Sequence, residues 1–203
     1  MTDFTYETTD RAERLETYEW DNVWWEQANT DKENRVLYIG DSISCPTRRM
    51  ATEMAEGRLL FDGFGTSKAL DNPFFYDSLS LFGKQQGKRD AIVFNNGLHG
   101  WHLSDMQDYP KYYEKMIEFL MREFSEARLY LALTTFVKDS ERNARVIRRN
   151  AEVLKLAEKY GVPVIDLYSA TEGRVDLLTD GVHFSNEGYK IITREILRVL
   201  EQQ

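Results

Sequence analysis

The chain has 203 residues, of which 42% are hydrophobic and 30% charged, a balance typical of a folded globular protein and unlike that of a disordered chain. Its net charge of −8 repels phosphate backbones, so we expect no nucleic-acid partner. With Cys45 as its one cysteine, it can form neither an intrachain disulfide nor a cage of thiolates around a metal.

The sequence gives no sign of a membrane partner, because no apolar run approaches the roughly 18 residues that a membrane span needs. The first twenty residues are acidic and lack the basic start and the apolar centre of a secretory signal. We therefore expect a cytoplasmic protein, or a secreted one if a signal segment has been removed.

Residues 1–34 hold three of the four tryptophans, Trp20, Trp24 and Trp25. Trp20 and Trp24 are four residues apart and would share one face of a helix. We interpret residues 1–34 as an aromatic-rich extension packed on a main domain of residues 35–203. Alternatively, the tryptophan rings line a substrate cleft, because aromatic faces suit sugars and acyl chains.

The following segments alternate between strand and helix patterns. Val36 to Ile39 are apolar or β-favouring and lead into Gly40-Asp41-Ser42, which predicts a buried strand that ends in a tight turn. Four further strand patterns lie at residues 58–61, 89–94, 128–134 and 162–166. Helical patterns lie between them at 48–56, 74–87, 104–125 and 140–160, and a last helix follows the capping residue Ser185. This alternation predicts an α/β fold, a three-layer α/β/α sandwich around a five-stranded parallel sheet.

Two basic clusters fall within predicted helices, Arg48-Arg49 and the arginines of residues 142–149. Because charged runs on helices usually face water, we interpret both clusters as solvated helix faces.

Ser42 is the candidate nucleophile, because it stands at the carboxyl end of the first parallel strand, where α/β proteins bind ligands. A serine hydroxyl needs a base within hydrogen-bond reach, and His183 in Asp180-Gly-Val-His183 is the candidate. A histidine titrates near neutral pH, and Asp180 can hold its tautomer and offset its charge. Ser44 is the rival nucleophile, but it lies two residues deeper in the turn. We interpret Cys45 as a buried helix residue.

The sequence resembles the SGNH (GDSL-like) hydrolases, a family with a flavodoxin-like α/β/α sandwich. The family's first block, Gly-Asp-Ser, matches residues 40–42, and its last block, Asp-x-x-His, matches residues 180–183. The resemblance extends from Val36 to Leu200. It implies that Ser42 is the nucleophile, His183 the general base and Asp180 the residue that orients the imidazole.

The family also has an oxyanion hole, formed by the nucleophile's own N–H, a glycine N–H from the second block and an asparagine side chain from a Gly-x-Asn-Asp block. The resemblance assigns the first donor to Ser42 and the second to Gly65, with Gly63 as the alternative.

The third block departs from the family pattern. Placing residues 97–100 on it puts His99 at the asparagine position and removes the aspartate that follows. His99 would then donate through a ring N–H, or Asn96 would donate instead if the loop is shifted. Loss of one such donor typically costs about 100-fold to 1000-fold in rate.

These assignments imply a serine esterase that needs no cofactor and acts on a small molecule or carbohydrate carrying acetyl or short acyl esters. A zinc site made from His99, His102, His183 and Asp180 would use acceptable ligands but would leave the Ser42 turn without a role, so we expect no metal. The altered third block keeps one alternative open, a non-catalytic protein that binds carbohydrate or acyl ligands on the same scaffold.

Overall fold

The computed structural model describes residues 15–16, 18–30 and 34–202. Residues 1–14, 17 and 31–33 of the predicted N-terminal extension lie outside these ranges, and the division of the chain at residue 34 stays a prediction. None of the helices in the described ranges is both long and apolar enough to cross a membrane.

Within the described residues, six strands form one mostly parallel sheet in the order β1-β3-β2-β4-β5-β6. The strands are β1 (Asp21–Trp24), β2 (Arg35–Gly40), β3 (Leu60–Thr66), β4 (Ala91–Phe94), β5 (Arg128–Ala132) and β6 (Val164–Ile165). Strands β2 to β6 pair in parallel, as predicted, whereas β1 pairs with β3 in the antiparallel direction and adds an edge strand.

Helices cover both faces of this sheet, which confirms the predicted α/β/α sandwich. They are α1 (Ser44–Met54), α2 (Phe74–Gln86), α3 (Asp108–Glu123), α4 (Ser140–Tyr160), α5 (Leu167–Thr171) and α6 (Asn186–Glu201). A 3-10 turn at Val175–Leu177 and helix α5 occupy a region that the sequence indicated only as a loop.

Side chains at alternate positions of the strands pack into two separate hydrophobic cores, one on each face of the sheet. Val36 and Tyr38 of β2 pack with residues of α1, α5 and α6 on one face. Leu37 and Ile39, the intervening residues, pack with residues of α2, α3 and α4 on the other face. Both faces of β2 are therefore buried, which accounts for its nearly continuous apolar sequence.

The helix ends follow local signals in the sequence. Asp139 caps α4 by accepting a hydrogen bond from the Arg142 N–H, and Gly161 ends it with a left-handed backbone at φ 63°. Ser185 caps α6 by accepting from the Gly188 N–H, as the sequence predicted. Helix α1 begins at Ser44 rather than at residue 48, directly after the Ser42 turn.

The predicted helix containing Trp20 and Trp24 is wrong, because Asp21–Trp24 is strand β1. Since β1 runs antiparallel to β3, Trp20 hydrogen-bonds with Ser67 at the carboxyl edge of the sheet, whereas Trp24 pairs opposite Gly63. Trp20 alone of the two therefore lies at the edge that carries Ser42.

Candidate active site

Ser42 lies in the turn that joins β2 to α1, and the turn is held by hydrogen bonds from its own backbone. The carboxylate of Asp41 accepts from the Ile43 N–H at 2.9 Å, and the carbonyl oxygen of Asp41 accepts from the Ser44 N–H at 3.0 Å. These bonds fix the backbone on both sides of Ser42, whose side chain is half-buried at the carboxyl edge of the sheet.

His183 contacts Ser42 across 141 residues of sequence. The Nε2 atom of His183 lies 2.8 Å from the Ser42 Oγ, and its Nδ1 atom lies 2.7 Å from the Asp180 Oδ2. Because an ionised carboxylate only accepts hydrogen bonds, Nδ1 carries a proton, which leaves Nε2 to accept the hydroxyl proton of Ser42. The three side chains form one hydrogen-bonded chain.

Asp180 is held in its ionised form by its surroundings. Partial burial by itself raises the pKa of Asp180, but hydrogen bonds from the backbone and ring of His183 and from the Val182 N–H outweigh it. The pKa of Asp180 is therefore below its ordinary value. The carboxylate stays charged over the whole range in which an imidazole works as a base, and it stabilises the imidazolium that proton transfer would create.

The loop that carries Asp180 and His183 is fixed from both sides. The Thr179 N–H donates to the His183 carbonyl at 2.8 Å, and Leu178 forms an isolated antiparallel bridge with Phe184. Gly181 adopts φ 95°, a conformation that favours glycine, and its carbonyl accepts from the Lys138 N–H. A tight turn with a glycine at its second position therefore brings the carboxylate and the ring of this loop together.

The rival nucleophiles have other contacts. Ser44 is buried, and its hydroxyl donates to the Asp41 carbonyl at 2.7 Å. Cys45 lies in the first turn of α1, as predicted, but it is only half-buried. Desolvation still raises the pKa of its thiol, which disfavours the reactive thiolate. Neither group makes a hydrogen bond with His183.

Gly65 and Gly63, the candidates for the second oxyanion donor, lie inside β3 rather than in the loop that follows it. A Cβ atom at Gly65 would collide with the Cys45 Sγ, and one at Gly63 would collide with the side chain of Arg48. Both glycines therefore make room for α1. Gly65 pairs with Gly40, two residues before Ser42, and its role as a donor stays a prediction.

The candidates for the third donor, His99 and Asn96, lie in the loop that follows β4 and are both almost completely buried. The Asn96 Nδ2 donates to the Lys68 carbonyl at 2.9 Å, which ties this loop to the loop after β3. The His99 Nδ1 lies 2.9 Å from the Glu16 Oε1. Sequence reasoning missed Glu16, because nothing in the local pattern connects positions 83 residues apart.

Arg149 of α4 holds the loop that contains His99, and its interpretation as part of a solvated face is wrong. Its side chain is 0% exposed and donates to the carbonyl oxygens of His99 and Gly100 at 2.9 and 2.8 Å. The guanidinium lies between the rings of Trp101 and Tyr109, with its Cζ atom 4.8 and 4.5 Å from their centroids.

Arg48 is also buried, contrary to the prediction. It crosses β3 at Gly63 and donates to the backbone carbonyl and the side-chain oxygen of Asn22 in β1. This contact helps attach the edge strand to the sheet.

Asp105 balances the charge of Arg145, Arg148 and Arg149, which contact its two oxygens at 2.7 to 3.1 Å. Burial by itself raises the pKa of Asp105, but the three arginines outweigh it and hold the pKa below the ordinary value of 3.8. One buried carboxylate thus links α4 to the end of the loop that carries His99.

We expect Asp105→Asn to destabilise the protein by about 2 kcal/mol at neutral pH, because the charge-assisted hydrogen bonds are lost. A depressed pKa in the folded state gives stability that is complete above the unfolded value and is lost as the pH falls through the folded value. The difference between variant and wild type should therefore shrink below about pH 4. Urea unfolding at pH 7, 5 and 3 measures it, and a difference that is constant with pH would contradict the charge assignment.

A surface cavity of about 310 Å³ lies between α2 and α3, on the face opposite α1 and α6. Its lining includes Asp71, Tyr76, Tyr112 and Lys115 and none of the predicted site residues. Within the described ranges, no three histidine, cysteine, aspartate or glutamate side chains converge as metal ligands would.

Comparison with known proteins gives one partial match in sequence and several similar folds. No protein-family model matches the chain. A stretch of 83 residues is 32% identical to the GDSL esterase/lipase WDL1 of Oryza sativa subsp. japonica and covers 38% of this chain. The match spans only 32% of the length of that rice protein.

Solved structures align over most of the chain at low sequence identity. A GDSL-like lipase from Bacteroides thetaiotaomicron aligns with a TM-score of 0.67 and 16% identity over 85% of this chain and 90% of its own. A lipase/acylhydrolase from Enterococcus faecalis aligns with a TM-score of 0.63 and 20% identity over 83% of this chain and 96% of its own. The acetyl xylan esterase AlAXEase aligns with a TM-score of 0.62 and 16% identity over 82% of this chain and 99% of its own. The chain therefore has the fold of the GDSL-like lipases and acylhydrolases, and one stretch of its sequence is similar to a GDSL esterase/lipase.

Proposed function

We propose that the protein is a serine esterase that hydrolyses small ester bonds through an acyl-enzyme. The contact of 2.8 Å between the Ser42 Oγ and the His183 Nε2, continued to Asp180 at 2.7 Å, is the observation that carries the proposal. A hydroxyl, an imidazole and a carboxylate joined in this order are the parts that nucleophilic acyl transfer requires.

In the proposed mechanism, the Ser42 Oγ attacks the ester carbonyl carbon while the His183 Nε2 takes the hydroxyl proton. The tetrahedral intermediate collapses as His183 returns this proton to the leaving alkoxide, and the acyl group stays on Ser42. Water then attacks the acyl-enzyme, again with His183 as base, and the acid is released. Asp180 offsets the positive charge of the imidazolium in both steps.

We assign the oxyanion donors to the N–H groups of Ser42 and Gly65 and to the ring of His99. Asn96 is the alternative third donor, because its amide gives one of its two N–H groups to the Lys68 carbonyl and has a second one to donate. In a buried site such donors stabilise the developing negative charge far more than they would in water.

For the substrate, we propose an acetyl or short acyl ester on a carbohydrate or a similar polar molecule. The similarity in fold to an acetyl xylan esterase supports this class. Trp20, which is half-buried at the carboxyl edge beside His99, offers a ring face of the kind that stacks on sugars.

A fluorophosphonate probe tests the proposal, because it reacts covalently only with a serine that an adjacent base activates. We expect stoichiometric labelling of Ser42, identified by peptide mass spectrometry, and no labelling of the Ser42→Ala variant. Labelling of Ser44 in its place would contradict the assignment. Absence of labelling in a folded protein that still retains sugar or acyl ligands would favour the non-catalytic binding protein.

A further inference from the structure

His99 forms a buried pair with a residue from the start of the described chain. Its Nδ1 atom lies 2.9 Å from the Glu16 Oε1, and the two side chains are 1% and 2% exposed. A buried carboxylate is costly unless it is paired, so the contact has an energetic reason on both sides.

Glu16 is placed at this edge by contacts that do not involve His99. Its backbone N–H donates to the Glu19 Oε1 at 2.8 Å, and the Glu19 Oε2 accepts from the Ser67 hydroxyl at 3.0 Å. Ser67 also exchanges two hydrogen bonds with the backbone of Trp20. The segment is therefore fastened to the loop after β3, and it presents the Glu16 carboxylate to the ring.

The Glu16 carboxylate affects which nitrogens of the His99 ring carry a proton. A neutral imidazole that donates its Nδ1 proton to Glu16 has a bare Nε2, which can only accept a hydrogen bond. The asparagine that the family has at this position donates from a neutral amide. A histidine whose Nδ1 donates to Glu16 can replace that donor only when both nitrogens carry protons, and an adjacent carboxylate stabilises that form.

We propose that Glu16 is a positioning residue, which orients His99 and holds it doubly protonated so that its Nε2–H donates to the oxyanion. This inference rests on the proposed esterase function.

Two other titratable or charged groups lie near His99, Asp41 and Arg149. Asp41, in the turn of Ser42, is close enough to His99 to interact with it electrostatically, and burial raises the pKa of the Asp41 carboxyl. From α4, the Arg149 guanidinium donates to the His99 carbonyl, but Arg149 is itself paired with Asp105. The nearby cation Arg149 therefore has a carboxylate of its own, whereas Glu16 contacts the His99 ring directly.

A double-mutant cycle with Glu16→Gln and His99→Asn tests the inference, with hydrolysis of p-nitrophenyl acetate as the assay. Gln can still accept the hydrogen bond of Nδ1 but cannot stabilise a cationic ring. We expect Glu16→Gln alone to lower kcat by about 10-fold to 100-fold with little change in KM, up to the loss that removal of one oxyanion donor causes. Combined with His99→Asn, which supplies a neutral amide donor, the same change should cost less than about threefold.

The pH profile gives a second readout. In the wild type, kcat should fall at alkaline pH as His99 loses its second proton, and Glu16→Gln should move this fall to lower pH. Such a shift supports the inference even if His99→Asn is inactive, and an unchanged alkaline limb overturns it. Equal losses from Glu16→Gln in the two backgrounds would also overturn it, because the residue would then act only on structure.

If the variants at Glu16 and His99 do not fold, the wild-type protein itself can be measured. The nitrogen chemical shifts of the His99 ring at pH 7, recorded by NMR, should be those of a doubly protonated imidazole. The shifts of a neutral ring would overturn the inference and leave the esterase mechanism standing. Failure of the esterase mechanism itself has a different signature, undiminished hydrolysis by the Ser42→Ala variant.

Discussion

Ser42→Ala should lower kcat/KM for p-nitrophenyl acetate by about 10⁴-fold to 10⁶-fold, the range seen when the nucleophile of a serine triad is removed. Without the Oγ atom no acyl-enzyme forms, and the remaining donors can only assist direct attack by water. The substitution removes one oxygen from a half-buried site, so the protein should stay folded and its melting temperature should change little. Initial rates measured beside thermal unfolding separate the two effects.

Ser44→Ala is the matched control, since it removes the same atom two residues away. Ser44 donates to the Asp41 carbonyl and makes no hydrogen bond with His183, so we expect a modest loss of stability, about 1 kcal/mol, and retention of most activity. Ser42→Ala and His183→Ala together should cost no more than either alone, because the two groups act as one unit. Full activity in Ser42→Ala would end the esterase proposal.

The core strands could be predicted because their alternation and apolar character depend on local sequence. Residues 36–39 of β2 pack into two hydrophobic cores, and their apolar side chains indicate this burial directly. Strand β1 could not be predicted in the same way. Its four residues are all exposed, and only pairing with β3 makes Asp21–Trp24 a strand. Tertiary context thus decides an element that propensity alone leaves open.

The residues of the candidate site also differ in how far local sequence indicates them. Gly40-Asp41-Ser42 and Asp180-Gly-Val-His183 are short segments whose chemistry shows in the sequence, and the structure brings Ser42 and His183 into contact. Long-range partners carry no such signal. Glu16 pairs with a ring 83 residues away, and Arg149 looks like one more charge of a solvated helix until Asp105 and the loop carbonyls surround it.

Arg149→Met should be the most destabilising of the substitutions considered, at about 3 to 5 kcal/mol, the cost of breaking a buried ion pair by removing one partner. Methionine fills much of the space between Trp101 and Tyr109 but donates no hydrogen bond. The buried carbonyl oxygens of His99 and Gly100 would each lose a donor, and Gly100 would keep the hydrogen bond from the Leu103 N–H. For a chain of this size the melting temperature should fall by roughly 6 to 20 °C, measured by circular dichroism.

Arg148→Met is the control for this prediction, because it removes the same chemical group from the same carboxylate at the surface. Arg148 also binds Asp105 at 2.8 Å, but its side chain is 46% exposed, so water replaces its contacts. We expect a loss of less than about 1 kcal/mol, as for other exposed ion pairs. Equal losses in the two variants would mean that the charge of Asp105 alone, and not the set of carbonyl contacts from Arg149, holds the loop that carries His99.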